Sequence, residues 1–370
     1  MILRTLHIDT EQTWRGGEQQ VFYLMRGLQR LGHGADLICQ PDSPLSQRAD
    51  GEGMRRFEIR MVGEFDVIAA VRVARIIESE GHQVVHLHTA HAHSIGLLTS
   101  YLLEHRPRYV VSRRVDFRPV KGLFSRLKYG SRVDRYIAIT QAVKDVMVQN
   151  GISAEKIAVV HSATDVGRFE SVGGEREEIL REFRLSEHTF LIGNVAACVG
   201  HKGQDYLLSA MPTVFSEFPN AVLFIVGDGP LRGELEASAR KLKISDRVIF
   251  TGMRDDVPRF LHAFDLFVLP SWGEGMGSVL LEAMAARKPV VATDADGIIE
   301  VVQDRINGLL VPTRNAEALA CGIGWMLRHR DAARAMGEAG RRTVEEWFTA
   351  DRMVEGTLAV YDTLVRRDVF

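Results

Sequence analysis

Residues 266–293 read LFVLPSWGEGMGSVLLEAMAARKPVVAT, which predicts a strand, a glycine-rich turn, a helix and a second strand in succession. The apolar run LFVLP has the length of a buried strand, and SVLLEAMAA has the composition of a buried helix. Between them, Gly273, Gly275 and Gly277 permit a tight turn and a close approach of the backbone to a ligand. The segment therefore predicts one unit of a parallel sheet covered by helices.

The same alternation of strand-length and helix-length segments extends along nearly the whole chain. The predicted strands of the first half are RTLHI, GADLIC, QVVHLH, RYVVS, YIAI and KIAVV. After the linker GRFESVGGERE the pattern restarts with FLIGNVAA, AVLFIVG, RVIFTG, LFVLP and PVVAT. We predict an α/β protein of two Rossmann-like, doubly wound domains, residues 1–166 and 167–349, followed by an amphipathic helix at 350–370.

Composition limits the class of protein. A chain of 370 residues with 46% hydrophobic and 25% charged residues is long enough for two folded domains. Its net charge of −2 and the absence of a recognisable nucleic-acid motif argue against a nucleic-acid partner. Cys39, Cys198 and Cys321 are too widely spaced for a disulfide framework or a structural zinc site. The short apolar run at the start and the lack of a long one elsewhere predict a cytoplasmic protein without a membrane span.

A basic segment interrupts this balance between Arg108 and Arg135. It contains nine basic residues and two acidic ones, Asp116 and Asp134, with aromatic residues among them. Two interpretations stay open: a solvated helix face, or a surface for an acidic partner such as an anionic membrane. The basic and aromatic residues that could form such a surface include Phe117, Arg118, Lys121, Phe124, Arg126, Lys128 and Tyr129.

The glycine-rich turn predicts an anion site. Free N–H groups of Gly277 and Ser278 at the start of a helix can bind a phosphate. Glu282 lies one turn further on the same face, where its carboxylate can accept hydrogen bonds from ribose hydroxyls. The alternative is that Glu282 forms an ion pair with Arg287 or Lys202.

Other strand-end loops supply further candidates. Lys202, in the turn VGHKGQ, can reach a phosphate, although an exposed turn lysine without a function is the alternative. Glu274 is placed to hold sugar hydroxyls beyond the phosphate. Backbone groups of the loop FTGMRDDVP can frame a nucleobase. The candidate donor-site residues in these loops, besides those already named, are Met253, Arg254, Gly275 and Met276.

The first half offers weaker signals. Gly16 and Gly17 begin a predicted helix, where they either approach a ligand phosphate or form an ordinary helix terminus. The segment VVHLHTAHAH contains four histidines. Because His86 and His88 alternate along a strand and His91 and His93 lie beyond it, we expect no metal site there. His88 is interpreted as a substrate contact.

Taken together, these segments resemble retaining glycosyltransferases of family 4, whose GT-B fold consists of two Rossmann-like domains facing each other across a cleft. The resemblance covers most of the chain, and its core is the spacing of Glu274 and Glu282 within PSWGEGMGSVLLEAMA. It implies that Glu274 contacts the donor sugar, Glu282 the ribose and Lys202 the diphosphate. It also implies that Gly16 and Gly17 contact the donor from an acceptor-binding N-terminal domain, onto which the last helix packs back.

Three departures from the family pattern concern the acceptor more than the donor. Where the family commonly has an arginine five residues before the lysine, this chain has Ala197. The histidine common after the strand RYVVS is replaced by Arg113 and Arg114, which we expect to meet phosphates or carboxylates of the acceptor. The usual Pro-Asn-Gly at the domain junction is replaced by residues 161–163, His-Ser-Ala.

The expected activity is therefore transfer of a hexose, with retention, from a nucleoside diphosphate sugar to a hydroxyl of a saccharide or lipid-linked acceptor. We expect no cofactor and no metal; Asp294 and Asp296 only mimic a metal-binding Asp-x-Asp of another fold. A role in lipopolysaccharide or exopolysaccharide synthesis, at the inner face of a membrane, fits the basic segment. A nucleotide-sugar 2-epimerase of the same fold is the main alternative, and a non-catalytic sugar-binding module is another.

Overall fold

The computed structural model describes residues 2–114, 128–171 and 173–366, and the chain forms two compact α/β units. Unit 1 extends to Ala163 and includes the C-terminal segment from Ala350 onwards. Unit 2 consists of the residues from Thr164 to Thr349. The first boundary lies three residues before the predicted one.

Unit 1 contains a parallel seven-stranded sheet in the order β3-β2-β1-β4-β5-β6-β7. Its strands are β1 (Arg4–Ile8), β2 (Gly34–Cys39), β3 (Arg56–Glu58), β4 (Val84–Leu87), β5 (Arg108–Arg113), β6 (Arg135–Ala138) and β7 (Ile157–Val159). The helices between them are α1 (Gly16–Arg30), α2 (Pro44–Gly51), α3 (Val67–Glu80), α4 (Ala90–Leu102) and α5 (Gln141–Gln149).

Unit 2 contains a parallel six-stranded sheet in the order β10-β9-β8-β11-β12-β13. Its strands are β8 (Phe190–Val195), β9 (Ala221–Val226), β10 (Val248–Gly252), β11 (Leu266–Leu269), β12 (Val290–Thr293) and β13 (Leu309–Val311). Its helices are α6 (Glu175–Glu182), α7 (Gln204–Glu217), α8 (Arg232–Lys241), α9 (Val257–Ala263), α10 (Ser278–Ala285), α11 (Ala316–Arg328) and α12 (Arg330–Trp347).

The two parallel sheets confirm the predicted fold class. Each predicted strand is present, and the apolar residues of the central strands β4, β9, β11 and β12 are buried, as expected for strands covered on both faces. The prediction missed β3 and β13. Both are three-residue edge strands, too short to give an apolar run or a period.

The C-terminal helix α13 (Ala350–Val365) belongs to unit 1 and packs on α1. A side chain at Gly27 of α1 would place its Cβ 2.3 Å from a methyl carbon of Val354, so the glycine permits the close approach of the two helices. Tyr361 of α13 is completely buried. Among the described residues, no helix is both long enough and apolar enough to cross a membrane.

Strand order determines where each unit can bind a ligand. In unit 1 the order reverses between β1 and β4, and in unit 2 it reverses between β8 and β11. Ligands of open parallel sheets bind beyond the carboxyl ends of the two strands at such a reversal. The loops that follow β8 and β11 contain Lys202 and Glu274, and those that follow β1 and β4 contain Asp9 and His88.

Candidate active site

The loop that carries Lys202 is pressed against the chain that follows β11. After β8, residues Gly200–Lys202 form a short 3-10 turn, which ends at Gly203 with φ of +65°. A Cβ at Gly203 would lie 2.1 Å from the carbonyl oxygen of Pro270. Only glycine fits this combination of positive φ and backbone contact. The loop can therefore reach the end of β11.

Trp272 fixes the two loops to each other. Its backbone N–H donates to the carbonyl oxygen of His201 at 3.0 Å. Its indole Nε1–H donates to the carbonyl oxygen of Gly200 at 2.9 Å. The guanidinium carbon of Arg314 lies 4.2 Å from the centroid of the Trp272 ring. These contacts hold the Lys202 turn in one position relative to the Glu274 loop.

Lys202 and Glu274, 72 residues apart in the chain, form an ion pair. Lys202 Nζ lies 2.6 Å from Glu274 Oε2, and the side chains are 19% and 12% exposed. The sequence assigned both residues to one site, and the structure brings them together at the reversal of strand order. Each charge compensates the other in the absence of a ligand, while enough exposure remains for a ligand to reach them.

The helix α10 begins beside this pair, because a Cβ at Gly277 would lie 3.4 Å from Cγ of Glu274. Gly277 has φ of +77° and forms the N-cap, and it lacks a side chain that could cap the helix. The N–H of Leu280 donates to the carbonyl oxygen of Gly277 at 2.8 Å, and the predicted phosphate donors, the N–H groups of Gly277 and Ser278, precede it at the helix start. The side chain of Met276 is buried at 1% exposure, so its contact with a ligand would have to come from the backbone.

Glu282 lies within α10, one turn after Ser278, and is partly buried. Two basic residues of unit 2, Arg287 and Lys202, form ion pairs with other carboxylates. Arg287 lies 3.4 Å from Glu338, and Lys202 contacts Glu274.

The loop after β10 places Met253 and Arg254 differently. Met253 is 72% exposed. The Arg254 guanidinium is bound by Glu182 at 3.0 Å and Asp256 at 2.8 Å, and it lies over the ring of Phe260. Because that side chain is engaged within the protein, a nucleobase contact from this loop would use the backbone.

The first prediction tests the fit of the Lys202 turn. Gly203→Ala should destabilise unit 2 by about 1–3 kcal/mol, because the new methyl group meets the Pro270 carbonyl at a positive φ. The melting temperature of the variant should then be a few degrees lower than that of the wild type. Gly200→Ala in the same turn is the matched control, since no atom lies within 4 Å of its Cβ position. Equal melting temperatures for the two variants would contradict the tight fit.

In unit 1, Gly16 and Gly17 begin α1. Glu18 lies in the first turn of α1 and caps the N-terminus of this helix, since its Oε2 accepts the Arg15 backbone N–H at 2.6 Å. Glu18 is 4% exposed, and Asp9, directly after β1, is 1% exposed. A Cβ at Gly17 would lie 3.8 Å from Cδ of Arg114. The glycine thus lies beside two buried carboxylates and a guanidinium.

His88 has both ring nitrogens in hydrogen bonds within the protein. Arg114 donates to His88 Nδ1 at 3.2 Å, so the ring proton must be on Nε2, which lies 3.0 Å from His7 Nδ1. His7 in turn donates from Nε2 to the hydroxyl of Thr5 at 3.0 Å. Burial lowers the pKa of His7 to about 3 and that of His88 well below its usual value. The chain of rings is neutral and orients Arg114.

His7, His86 and His88 are one group of three candidate metal ligands within the described part of the chain. The sequence argument against such a group was wrong in one respect: His86 on β4 and His88, the residue directly after β4, are two positions apart and share a face, so alternation does not separate them. His86 lies 2.6 Å from the hydroxyl of Tyr361 and 2.7 Å from that of Ser112. The ring nitrogens of all three histidines are thus in hydrogen bonds within the protein.

Two family models match this chain. Residues 14–168 match the model described as Glycosyltransferase Family 4, and residues 175–343 match the model described as Glycosyl transferases group 1. Together the two models span both units.

The chain belongs to glycosyltransferase family 4.

One relative is a GDP-mannose-dependent alpha-(1-6)-phosphatidylinositol monomannoside mannosyltransferase of Mycobacterium tuberculosis, 34% identical over 206 residues. That match covers 53% of this chain and spans only 52% of the length of the relative. The lipopolysaccharide core biosynthesis glycosyltransferase LpsE of Rhizobium meliloti is 28% identical over 234 residues, covering 63% of this chain and 66% of LpsE. The crystal structure of HepE from Anabaena in complex with UDP matches 98% of this family 4 chain and all of HepE, with a TM-score of 0.85 at 20% identity. This likeness shows the GT-B fold.

The basic segment of this family 4 protein is described only in part. Six residues of the predicted segment lie outside the described residues: Asp116, Phe117, Arg118, Lys121, Phe124 and Arg126. Of the rest, Arg108 lies 3.4 Å from Asp134, which also pairs with Arg106 outside the segment, and Lys128 donates to the Ser94 hydroxyl at 2.7 Å. Arg113 is partly buried near Tyr129, at 5.8 Å from the ring centroid, and burial lowers the pKa of its guanidinium.

Sequence reasoning missed Asp9 and Glu18. The signal for Asp9 was present, because an acidic residue follows directly after the first strand RTLHI, at the edge where ligands bind. Glu18 follows Gly16 and Gly17 and has the position of an ordinary N-terminal helix carboxylate. Only the structure shows that both are buried.

Proposed function

We propose that this protein transfers a sugar, with retained anomeric configuration, from a nucleoside diphosphate sugar to a hydroxyl of a saccharide or lipid-linked acceptor. The observation that carries the proposal is the Lys202–Glu274 ion pair, held at the strand-order reversal of unit 2 beside the uncapped start of α10. A cation, backbone donors and a carboxylate are together the groups that a sugar diphosphate requires.

The chemistry assigned to these groups is electrostatic. Breaking the bond between the sugar and the diphosphate develops negative charge on the outer phosphate. Lys202 and the N–H groups near Gly277 and Ser278 stabilise that charge as it forms. Glu274 accepts hydrogen bonds from the donor sugar and orients its anomeric carbon. The acceptor hydroxyl attacks from the side of the leaving group, which gives retention without a covalent intermediate.

Metal ions have no assigned part in this scheme. Asp294 is the first carboxylate of the Asp-x-Asp segment and follows β12. It accepts the backbone N–H of Thr313 at 2.9 Å and so holds the residues after β12 to those after the neighbouring strand β13. We assign this residue a structural role, and the diphosphate charge is met by Lys202 and the helix terminus.

Cell-surface glycan synthesis is the setting we propose. LpsE, by its name, acts in lipopolysaccharide core synthesis, and the mycobacterial relative acts on a phosphatidylinositol mannoside. The second of these names describes a lipid-linked acceptor. A protein that works on such acceptors from the cytoplasmic face would associate with the surface as a peripheral protein.

The experiment that tests this function has two stages. In a thermal-shift panel of UDP, GDP and ADP, one nucleotide should stabilise the protein by about 2.7 kcal/mol at 100 times its dissociation constant. The matching sugar nucleotide should then yield a glycoside only when an acceptor extract is added, at a rate that EDTA leaves unchanged. No shift with any nucleotide would refute the proposal. Conversion of the donor without acceptor would indicate an epimerase, and restoration by Mg²⁺ after chelation would contradict the metal-free scheme.

A further inference from the structure

The loop between β3 and α3 and the first turn of α3 expose a group of large apolar side chains. Val62, Phe65, Val67 and Ile68 are 65%, 64%, 57% and 70% exposed, and all four lie within one stretch of seven residues. Single exposed apolar residues are ordinary on a protein surface, whereas a group of them indicates a site of interaction. We call these four residues the apolar tip. The chain reaches it directly after the carboxyl end of β3.

Hydrogen bonds within unit 1 fix the backbone of the apolar tip. Asp66 accepts the backbone N–H of Val62 and that of Ala69, both at 2.9 Å, and so closes the loop and caps α3. His91 of α4 donates from Nε2 to the carbonyl oxygen of Gly63. The loop is therefore folded in a way that leaves its apolar side chains outside the core.

Basic side chains lie behind the apolar tip. Arg60 precedes it by two residues in the chain. Arg72 and Arg75 follow Ile68 by four and seven residues, so all three side chains lie on one face of α3. The three arginines are exposed, and none is in an ion pair within the residues that the structure describes. We call these arginines the basic collar.

The acidic residues near the tip do not cancel the charge of the basic collar. Glu64 lies 3.5 Å from Lys128, which compensates its charge. Asp66 is engaged by the two backbone N–H groups at the start of α3. Glu78, the next exposed carboxylate of α3, is further from the tip than both arginines of that helix. The surface therefore combines apolar groups with positive charge, which matches an anionic lipid bilayer.

The order of these groups along α3 favours a bilayer over a protein partner. A helix rises about 1.5 Å per residue, so Arg72 and Arg75 lie about 6 Å and about 10 Å from Ile68 along the axis. Apolar side chains that enter a bilayer surface reach about 5–10 Å into it, which leaves both arginines level with the lipid phosphates. A protein interface instead surrounds its apolar centre with a polar rim at the same level.

We propose that the apolar tip inserts into the surface of an anionic membrane while the basic collar binds the phosphates of its lipids. This inference rests on the proposed function for its purpose, which is the approach to a lipid-linked acceptor. The tip follows the carboxyl end of a strand of unit 1, the edge of the sheet at which ligands bind. The membrane contact thus involves the β3–α3 loop, whereas the sequence indicated only the basic segment.

Vesicle flotation with the full chain tests the contact. The probes are vesicles of phosphatidylcholine alone and of phosphatidylcholine with phosphatidylglycerol in equal amounts. The wild type should bind the anionic vesicles at low salt and lose most of this binding at high salt, because salt screens the charges. Phe65→Ser combined with Ile68→Ser should weaken binding about tenfold for each side chain, since less apolar surface leaves water.

The matched control removes apolar side chains of similar exposure elsewhere. Leu31→Ser combined with Ile306→Ser replaces residues that are 57% and 61% exposed outside the apolar tip, and it should leave vesicle binding unchanged. Because all four side chains are exposed, both double variants should keep the melting temperature of the wild type. Arg72→Gln combined with Arg75→Gln should reduce the preference for anionic vesicles about fivefold for each charge.

A second measurement separates insertion from adsorption by charge alone. The fluorescence of the Phe65→Trp protein should be quenched by phosphatidylcholine brominated on its acyl chains, because the ring reaches the hydrocarbon. The Leu31→Trp protein should be quenched no more than the wild type, whose four tryptophans give the baseline.

Binding that falls in the Phe65→Ser, Ile68→Ser protein, together with quenching of the Phe65→Trp protein, supports the proposal. Three results would each overturn it: a wild type that ignores anionic vesicles at low salt, a serine variant that binds as the wild type does, or an unquenched Phe65→Trp protein. A serine variant that dissociates a dimer in sedimentation while vesicle binding is unchanged would assign the tip to a protein interface.

The nucleotide thermal shift, measured on the same samples without vesicles, separates this inference from the proposed function. Absence of the shift would refute the proposed function whatever the vesicles show. An intact shift in a protein that ignores vesicles refutes only the membrane contact.

Discussion

Replacing Lys202 with alanine is expected to lower the turnover rate of sugar transfer by about 100- to 1,000-fold, the range for loss of one preorganised charge-stabilising donor. The position usually occupied by a second cation in this family is Ala197, whose carbonyl accepts a hydrogen bond from Gln204 at 3.1 Å. Arg232, at the start of α8, is bound by Asp228 at 3.0 Å and Glu236 at 2.9 Å. Neither of these two positions therefore supplies an unpaired cation for the departing diphosphate.

Single-turnover kinetics with saturating donor provide the measurement. Lys202→Arg, which keeps the charge but changes its reach, should retain more activity than alanine. Because the substitution to alanine leaves Glu274 without its cation, the melting temperature is recorded in parallel. A folded Lys202→Ala protein that turns over within a few-fold of the wild type would remove Lys202 from the mechanism.

Local patterns predicted the fold and one half of the candidate site because these features are local in the chain. The spacing of Gly277, Ser278 and Glu282 lies within a single turn and helix, and α10 forms as the spacing requires. The 2.6 Å pair of Lys202 and Glu274 joins two loops whose proximity depends on the strand order, so the sequence could assign the residues to one site but not to one contact.

The sequence predicted the functional residues of unit 1 less completely than those of unit 2, for a physical reason. Whether Asp9 and Glu18 are buried depends on how α1 packs on the sheet, and no periodic pattern encodes the exposure of a single loop residue. The partners of His88 come from β1 and from the end of β5, remote in sequence. A histidine that looked like a substrate contact is therefore bound on both ring nitrogens by the protein itself.

Removing the carboxylate of Glu282 should weaken nucleoside diphosphate binding by about 2–4 kcal/mol, because two charge-assisted hydrogen bonds to the ribose are lost. Glu282 lies one turn from Ser278, about 6 Å along the axis of α10, which matches the step from a diphosphate to its ribose.

Calorimetric titration of Glu282→Ala and Glu282→Gln with the nucleotide chosen by the thermal-shift panel measures this loss. The glutamine variant keeps one acceptor oxygen without the charge, so its affinity should lie between those of the alanine variant and the wild type. Glu338→Ala is the matched control, because it removes a half-exposed carboxylate from the same unit and should leave affinity unchanged. Unchanged nucleotide affinity in a folded Glu282→Ala protein would mean that this carboxylate stabilises α10 and that the ribose is bound by other groups.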